Sequence, residues 1–240
     1  MMQAWLDALL AVLLAPVCAA CGSPLPHPTR GCVCASCWSA LDTLQPPLCD
    51  TCGGALAPTA HTTLSVCPDC LRHPPVVDHA LAIGVHDGSL RAIIHAFKYG
   101  GHRSLARPLA ERMRAAGTTL ITDSRAAVPV PLHSSRRRSR GFNQATDLAR
   151  HLGLPVAHAL VRLRDTSTQT ALPADERRTN VASAFRPTRS AAALRGMTVL
   201  LVDDVRTTGA TLDACAAALK EAGVRRVVAL TAARVETPRG

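Results

Sequence analysis

The chain runs Val199-Leu200-Leu201-Val202-Asp203-Asp204-Val205-Arg206-Thr207-Thr208-Gly209-Ala210-Thr211: four apolar residues, two carboxylates, then a Thr/Gly loop. Such an apolar run suits a strand buried on both faces. Thr211 to Ala222 reads as a helix that stops at Gly223. A strand turning through Gly209 into a helix start offers unpaired amides and the positive end of the helix dipole, which favours a phosphate dianion. Gly209 allows close backbone approach, and the threonine hydroxyls add donors. Asp203 and Asp204 stand beside that phosphate, placed to accept hydrogen bonds from vicinal sugar hydroxyls. The string therefore reads as a site for a phosphorylated ribose. It is not a Walker loop, because the Gly-Lys-Ser/Thr element is missing. An Asp pair alone would more often be a solvated turn capping the next helix; the complete string separates the two cases.

Outward from this loop, strands and helices alternate. Ala80–Val85 reads as a strand and Ser89–Tyr99 as a helix with Leu90, Ile93, Ile94 and Phe97 on one face. Helices follow over Ser104–Ala115 and Arg140–His151, with strands over Ala126–Leu132 and Val227–Thr231. Asp165–Asp175 is polar and loop-like. The pattern predicts an α/β fold, a mostly parallel sheet with helices on both faces. Ligands of such sheets bind beyond the carboxyl ends of the strands.

Nine of the ten cysteines precede residue 71, and eight form Cys-x-x-Cys knuckles: Cys18/Cys21, Cys34/Cys37, Cys49/Cys52 and Cys67/Cys70. Two such knuckles complete a tetrahedral site of four thiolates. Twelve residues separate the first two knuckles and fourteen the second two, lengths that suit consecutive zinc ribbons. An interleaved pairing satisfies the same chemistry, and Cys32 stands close enough in sequence to replace Cys34. A disulfide framework needs an oxidising compartment, and nothing in the sequence directs export. Sites closed by four thiolates leave no coordination position for water, so two structural Zn²⁺ ions are expected. Cys215, in an Ala-rich helix, reads as a buried small hydrophobe.

Hydrophobic residues make up 48% of the chain but aromatics only 2%, so the core must be Ala, Leu and Val. Residues 1–78 carry two arginines against five aspartates; of the overall +10, the remainder therefore holds +13. That balance favours an anionic partner, a phosphorylated small molecule or a nucleic acid. The run Trp5–Leu14 has no preceding Lys or Arg, contains Asp7, and is far shorter than the ~20 residues of a membrane span. It reads as an amphipathic helix docked on the domain behind it. No other run approaches membrane length, and a cytoplasmic location is expected.

Val199–Thr211 resembles the phosphoribosyl-pyrophosphate motif of type I phosphoribosyltransferases, and the chain as a whole is similar to the ComF family of competence-associated proteins. The match is carried by the knuckles, Phe97-Lys98-Tyr99, Val128-Pro129-Val130-Pro131-Leu132 and Arg140-Gly141-Phe142-Asn143-Gln144, then Gln169, Arg177, Asn180 and Phe185, and closing Ala233-Arg234-Val235. The resemblance implies a type I phosphoribosyltransferase-like domain over 79–240, behind a double zinc ribbon over 18–78 and a helix over 1–17. It gives Asp203 and Asp204 to the ribose hydroxyls and the loop Val205, Arg206, Thr207, Thr208, Gly209, Ala210 and Thr211 to the 5′-phosphate. Pro131 and Leu132 fall at the pyrophosphate turn, with Arg136, Arg137, Arg138 and Arg140 just beyond and Lys98 as a further candidate. Guanidinium groups and Mg²⁺ there would stabilise the charge of a leaving pyrophosphate. Arg164–Arg177 resembles the loop that closes over substrate. Thr207 stands where oxopurine-salvage relatives have an aspartate, which weighs against hypoxanthine or guanine as acceptor. No residue announces itself as the acceptor's base; His95, His102 and His133 could face the site, though histidines so placed are more often surface or helix residues.

Two functions follow from the resemblance. One is a phosphoribosyltransferase, transferring from phosphoribosyl pyrophosphate (or a related sugar phosphate) with Mg²⁺ to an unidentified acceptor, in DNA uptake during natural transformation. The other is a non-catalytic component that binds single-stranded DNA or a DNA-uptake helicase. With six aromatic residues in the chain, extended base stacking is weak, and salt-sensitive backbone contact is the fallback.

Overall fold

The computed structural model describes residues 2–56, 65–163 and 184–236. In chain order its elements are α1 (Met2–Leu14), α2 (Ala35–Ser39), α3 (Pro68–Arg72), β1 (His79–Val85) and α4 (Gly88–Tyr99). Then come α5 (Ala106–Ala116), α6 (Thr118–Asp123), β2 (Ala127–Pro129), α7 (Ser134–Arg140) and α8 (Gln144–Ala149). After β3 (Leu160–Arg162) and β4 (Phe185–Pro187) the described chain ends with β5 (Thr198–Arg206), α9 (Ala210–Glu221) and β6 (Arg226–Arg234).

Four strands form a parallel sheet in the order β1-β6-β5-β2. Side-chain alternation sends Leu200, Val202, Val228 and Leu230 to one face, against Phe97, Leu109, Met113 and Leu148. Val199, Leu201, Val227 and Ala229 go to the other, against Cys215 and Leu219. Both faces are covered, which is why β5 and β6 carry continuous apolar runs. Cys215 is fully buried, in line with its reading as a small hydrophobe.

The elements differ from the sequence reading where backbone chemistry intervenes. The strand expected over Ala126–Leu132 pairs with β5 only over Ala127–Pro129, with a last bond from Val130 N to Val202 O; Pro129 and Pro131 fall where the missing N–H faces the outer edge, away from β5. The helix expected over Arg140–His151 is split at Gly141, which has φ 74°. The β5 strand runs past the two aspartates to Arg206, because Ala232 and Ala233 extend β6 as its partner. The antiparallel pair β3-β4 has no counterpart in the sequence reading. Residues 165–175 lie outside the described chain.

The cysteine-rich segment closes the outer edge of β1. Leu44 N donates to Ile83 O and Val85 N to Asp42 O; farther along, Ala80 N donates to Thr51 O. An edge strand that would otherwise expose unpaired amides is thus covered. Arg112 of α5 stacks on Trp38 at 3.8 Å from the ring centre, a second tie between the layers.

Helix α1 forms and meets the 28–30 turn behind it, but through a polar contact and not the apolar face expected. Its leucines and valines surround the axis, and Trp5 (78% exposed), Val12 (82%), Leu13 and Leu14 stay in solvent. Its anchor is Asp7, the residue that breaks the apolar run: buried, it accepts from Thr29 N at 2.9 Å and faces His27 Nδ1 at 3.4 Å. The Thr29 amide holds this carboxyl below its usual range. Among the described residues no helix is long and apolar enough to cross a membrane.

Candidate functional site

The two aspartates lie near the carboxyl end of β5 and face opposite ways, as alternation demands. Asp203 continues the face of Val199 and Leu201, and Asp204 that of Leu200 and Val202. Asp204, only 9% exposed, meets Lys98 from α4, with Nζ 2.8 Å from Oδ1. Asp203 accepts the Asp204 backbone N–H at 2.8 Å. Burial, reinforced by the neighbouring charge of Asp204, pushes the Asp203 carboxyl up to about 7; the Lys98 and Arg162 cations oppose the shift.

The loop beyond turns at Gly209, which adopts φ 88° and ψ −9° and caps α9. A side chain there would be strained, so the turn needs glycine. Thr207 and Thr208 are exposed, and Thr208 Oγ1 accepts the Ala210 N–H at 3.4 Å. Thr211 lies in the first turn of α9 with Ala210. The loop thus puts hydroxyls and helix-start amides next to Asp203 and Asp204, an arrangement that suits an anion bearing a diol. Val205 stays in the ladder opposite Ala233. The Arg206 side chain passes beside Gly209 and reaches the cysteine-rich segment, where Nη1 donates to Cys52 O at 2.7 Å.

Neighbouring β2 brings the turn at Pro131 alongside, since Val130 N donates to Val202 O at 2.9 Å. Pro131 and Leu132 are half-buried there. The turn is fixed from behind by Asn143, whose Nδ2 donates to Val130 O at 3.0 Å while Oδ1 caps α8. Arg140 lies over the Tyr99 ring at 4.7 Å and donates to its hydroxyl at 2.9 Å. The Arg136 and Arg137 side chains lie outside what the structure describes, as do residues 164–177.

Of the three histidines considered, His95 packs on Tyr99 and His133 Nδ1 contacts Ser135 Oγ, while His102 precedes the 103–105 turn. A different one, His86, follows β1 at the same sheet edge. Burial, then the Lys98 and Arg91 cations, depress its pKa, and the Asp204 carboxylate acts against them. Its position just past a strand's carboxyl end was the signal for it in the sequence.

The cysteines form two groups, Cys18/Cys21/Cys34/Cys37 and Cys49/Cys52/Cys67/Cys70, with all sulfurs of a group within 4.8 Å of one another. Consecutive pairing therefore holds. Cys32 stands apart, with its sulfur 3.9 Å from Ser104 Oγ. Sulfur separations of 3.9 Å (Cys18–Cys37) and 3.8 Å (Cys21–Cys34, Cys52–Cys67) suit the ~3.8 Å edge of a tetrahedron with ~2.3 Å Zn–S bonds. Backbone amides of Cys34 and Cys67 point at the sulfurs of Cys18 and Cys49, at 3.3 and 3.2 Å. Such donors stabilise thiolates. The donor sets fit structural zinc, and all ten cysteines are free of disulfides.

Residues 9–71 match the double zinc ribbon domain family and residues 138–239 the phosphoribosyl transferase domain family. Competence protein F of Haemophilus influenzae is 33% identical over 211 residues, spanning 84% of this chain and 90% of that protein. The chain belongs to the ComF family. Another relative of this ComF chain, the DNA utilization protein YhgH of Salmonella typhimurium, is 31% identical, with 88% of this chain and 93% of that one aligned. Among solved structures, a purine phosphoribosyltransferase from Pyrococcus horikoshii covers 59% of the ComF chain and is itself covered to 93%, at 15% identity and a TM-score of 0.29.

Proposed function

We propose that this ComF protein binds phosphoribosyl pyrophosphate, or a related sugar phosphate, with Mg²⁺ and transfers the phosphoribosyl group to an acceptor in DNA uptake. The observation that carries this reading is the Asp203-Asp204 pair near the carboxyl end of β5, shortly before an αL Gly209 and a helix start. In this reading the loop from Val205 to Thr211 receives the 5′-phosphate through amides and threonine hydroxyls. Asp203 and Asp204 hold the ribose diol. Lys98, paired with Asp204 at 2.8 Å, is positioned to exchange that carboxylate for a ligand anion. The turn at Pro131 and Leu132, with Arg140 beyond it, faces the leaving pyrophosphate. Mg²⁺, when bound, supplies charge neutralisation for that leaving group. The membership in a family whose relatives are called competence and DNA utilization proteins supports the DNA-uptake context, which also fits a cytoplasmic protein.

The test is a melting experiment on the full chain. Phosphoribosyl pyrophosphate with Mg²⁺ should raise Tm, by about 2.7 kcal/mol of stabilisation at a hundredfold excess over Kd. The Asp203→Asn, Asp204→Asn double variant should show no rise. An unshifted Tm in the intact protein contradicts the proposal.

A second reading is that the protein binds single-stranded DNA, or a helicase partner, without turnover. It is favoured by one feature: Tyr99 is 61% exposed and carries Arg140 over its ring, a small platform for a base or backbone phosphate.

A further inference from the structure

Arg206 and Arg234 stand opposite each other on the last rung of β5 and β6. Both guanidinium groups reach the same acceptor. Their Nη1 atoms donate to the carbonyl oxygen of Cys52, at 2.7 Å from Arg206 and 3.1 Å from Arg234. Arg234 Nη1 also lies 3.7 Å from the Cys52 sulfur. Among the described residues neither arginine has a carboxylate partner. Two cations converging on one neutral carbonyl repel each other unless a negative charge stands behind it. Four thiolates around a divalent ion carry a formal −2, and Cys52 is one of those thiolates. The charge that holds the pair is therefore the second metal centre itself.

Local sequence is fitted to this contact. A side chain on Gly54 would collide with the Arg234 guanidinium, and one on Gly53 (φ 65°) with the Ala80 carbonyl. Gly22, at the same place after the first knuckle, has nothing within 4 Å. The tight fit belongs to the second ribbon alone of these two. At its other end, Arg206 belongs to the loop between Asp204 and Gly209, and its Nε would lie 3.0 Å from a Cβ on Gly209. A second tie runs parallel. Asp213, in the first turn of α9, accepts the amides of Val76 and Val77, just beyond the second ribbon, at 2.9 and 3.1 Å.

We propose that the metal centre at Cys49/Cys52/Cys67/Cys70 sets the shape of the phosphate loop through Arg206 and Arg234. Metal there and sugar phosphate on the loop then bind cooperatively, and the ribbon is a positioning device as well as a fold element. This rests on the phosphate-site reading above. Because coupling free energies are reciprocal, the ligand must tighten the metal by the same factor that the metal tightens the ligand.

The experiment follows zinc release from the full chain into a chromogenic chelator, with and without ribose 5-phosphate. Arg206→Ala and Arg234→Ala should each speed the loss of one of the two ions by about tenfold. Arg112→Ala, on the Trp38 side, should speed neither. Ribose 5-phosphate should slow loss of the same ion in the wild type and not in Arg206→Ala. Retention of the other ion reports that a variant is folded; Arg206→Lys, which keeps the cation, should fall between wild type and Arg206→Ala. Release curves unchanged by both arginine variants overturn the proposal, as does ligand protection that persists in Arg206→Ala. Failure of ribose 5-phosphate to bind wild type would end the phosphate reading instead, while the release rates without ligand still decide the arginine strut.

Discussion

Lys98 reaches from the last turn of α4 to Asp204 near the carboxyl end of β5, closing a 2.8 Å ion pair at the candidate site. Both side chains are largely shielded from water. The pair therefore links one helix layer to the sheet edge at the place where the ligand would enter. Without its cation, Asp204 would sit unpaired beside Asp203, a carboxyl already unwilling to ionise. Lys98→Met should destabilise the fold by about 1–3 kcal/mol. Denaturant unfolding measures this; an unchanged midpoint would show the pair to be an ordinary solvated contact.

The Asp203 carboxyl gives a pH signature. Folding raises its pKa from 3.8 to about 7, chiefly by burial. Between those values the folded state holds more protons than the unfolded chain, so this group's contribution to stability is lost as pH rises through that window. Asp203→Asn removes the penalty. The variant should gain more in Tm at about pH 8 than at about pH 5. Equal gains at both would mean that the carboxyl ionises normally in the fold.

Glycines after the two knuckles should respond unequally. Gly22→Ala meets only the left-handed φ of 74° and should cost about 1–2 kcal/mol. Gly53→Ala adds a collision with the Ala80 carbonyl on β1 and should cost clearly more. Thermal melting of the two variants side by side measures the difference, and equal losses would argue against tight seating of the second ribbon on β1.

Metal content tests the cysteine chemistry. Elemental analysis should find about two zinc ions per chain. Cys37→Ser or Cys70→Ser should each lower the count by one and the melting temperature with it, since metal binding free energy is folding free energy. Full zinc content in either variant would mean that the tetrad is not the site.

If Tyr99 and Arg140 form a contact for nucleic acid, Arg140→Ala should weaken single-stranded DNA binding and make its salt dependence shallower. An unchanged salt slope removes that surface from consideration.

The sheet was legible because its central strands are apolar throughout, and Val199–Val202 can be neither a surface strand nor a loop. The α9 helix was legible from its composition and from Gly209 and Gly223. The β3-β4 pair was not, because Leu160–Arg162 and Phe185–Pro187 are three residues each, too short for periodicity and far apart in sequence. Strand ends are less legible at β2, whose pairing with β5 stops at Pro129, and at β5, where β6 extends its neighbour past two charges. Cysteine spacing pointed to two tetrads, since metal geometry is local, but the choice of consecutive over interleaved pairing and of Cys34 over Cys32 came from the fold. The attachment of the second tetrad to the sheet was hidden: Arg206 lies 154 residues from Cys52 and Arg234 lies 182 from it. Likewise Lys98 and Asp204 are both singled out in the sequence, but not as partners, since only the packing of α4 on the sheet brings them together.

Calorimetric titration of the zinc-loaded protein with phosphoribosyl pyrophosphate in the presence of Mg²⁺ tests the sugar-phosphate site most directly. A saturable heat that disappears in the Asp203→Asn, Asp204→Asn variant is the predicted result. A wild-type titration without heat, or one matched by the double variant, would contradict the assignment of this strand end as the ligand site.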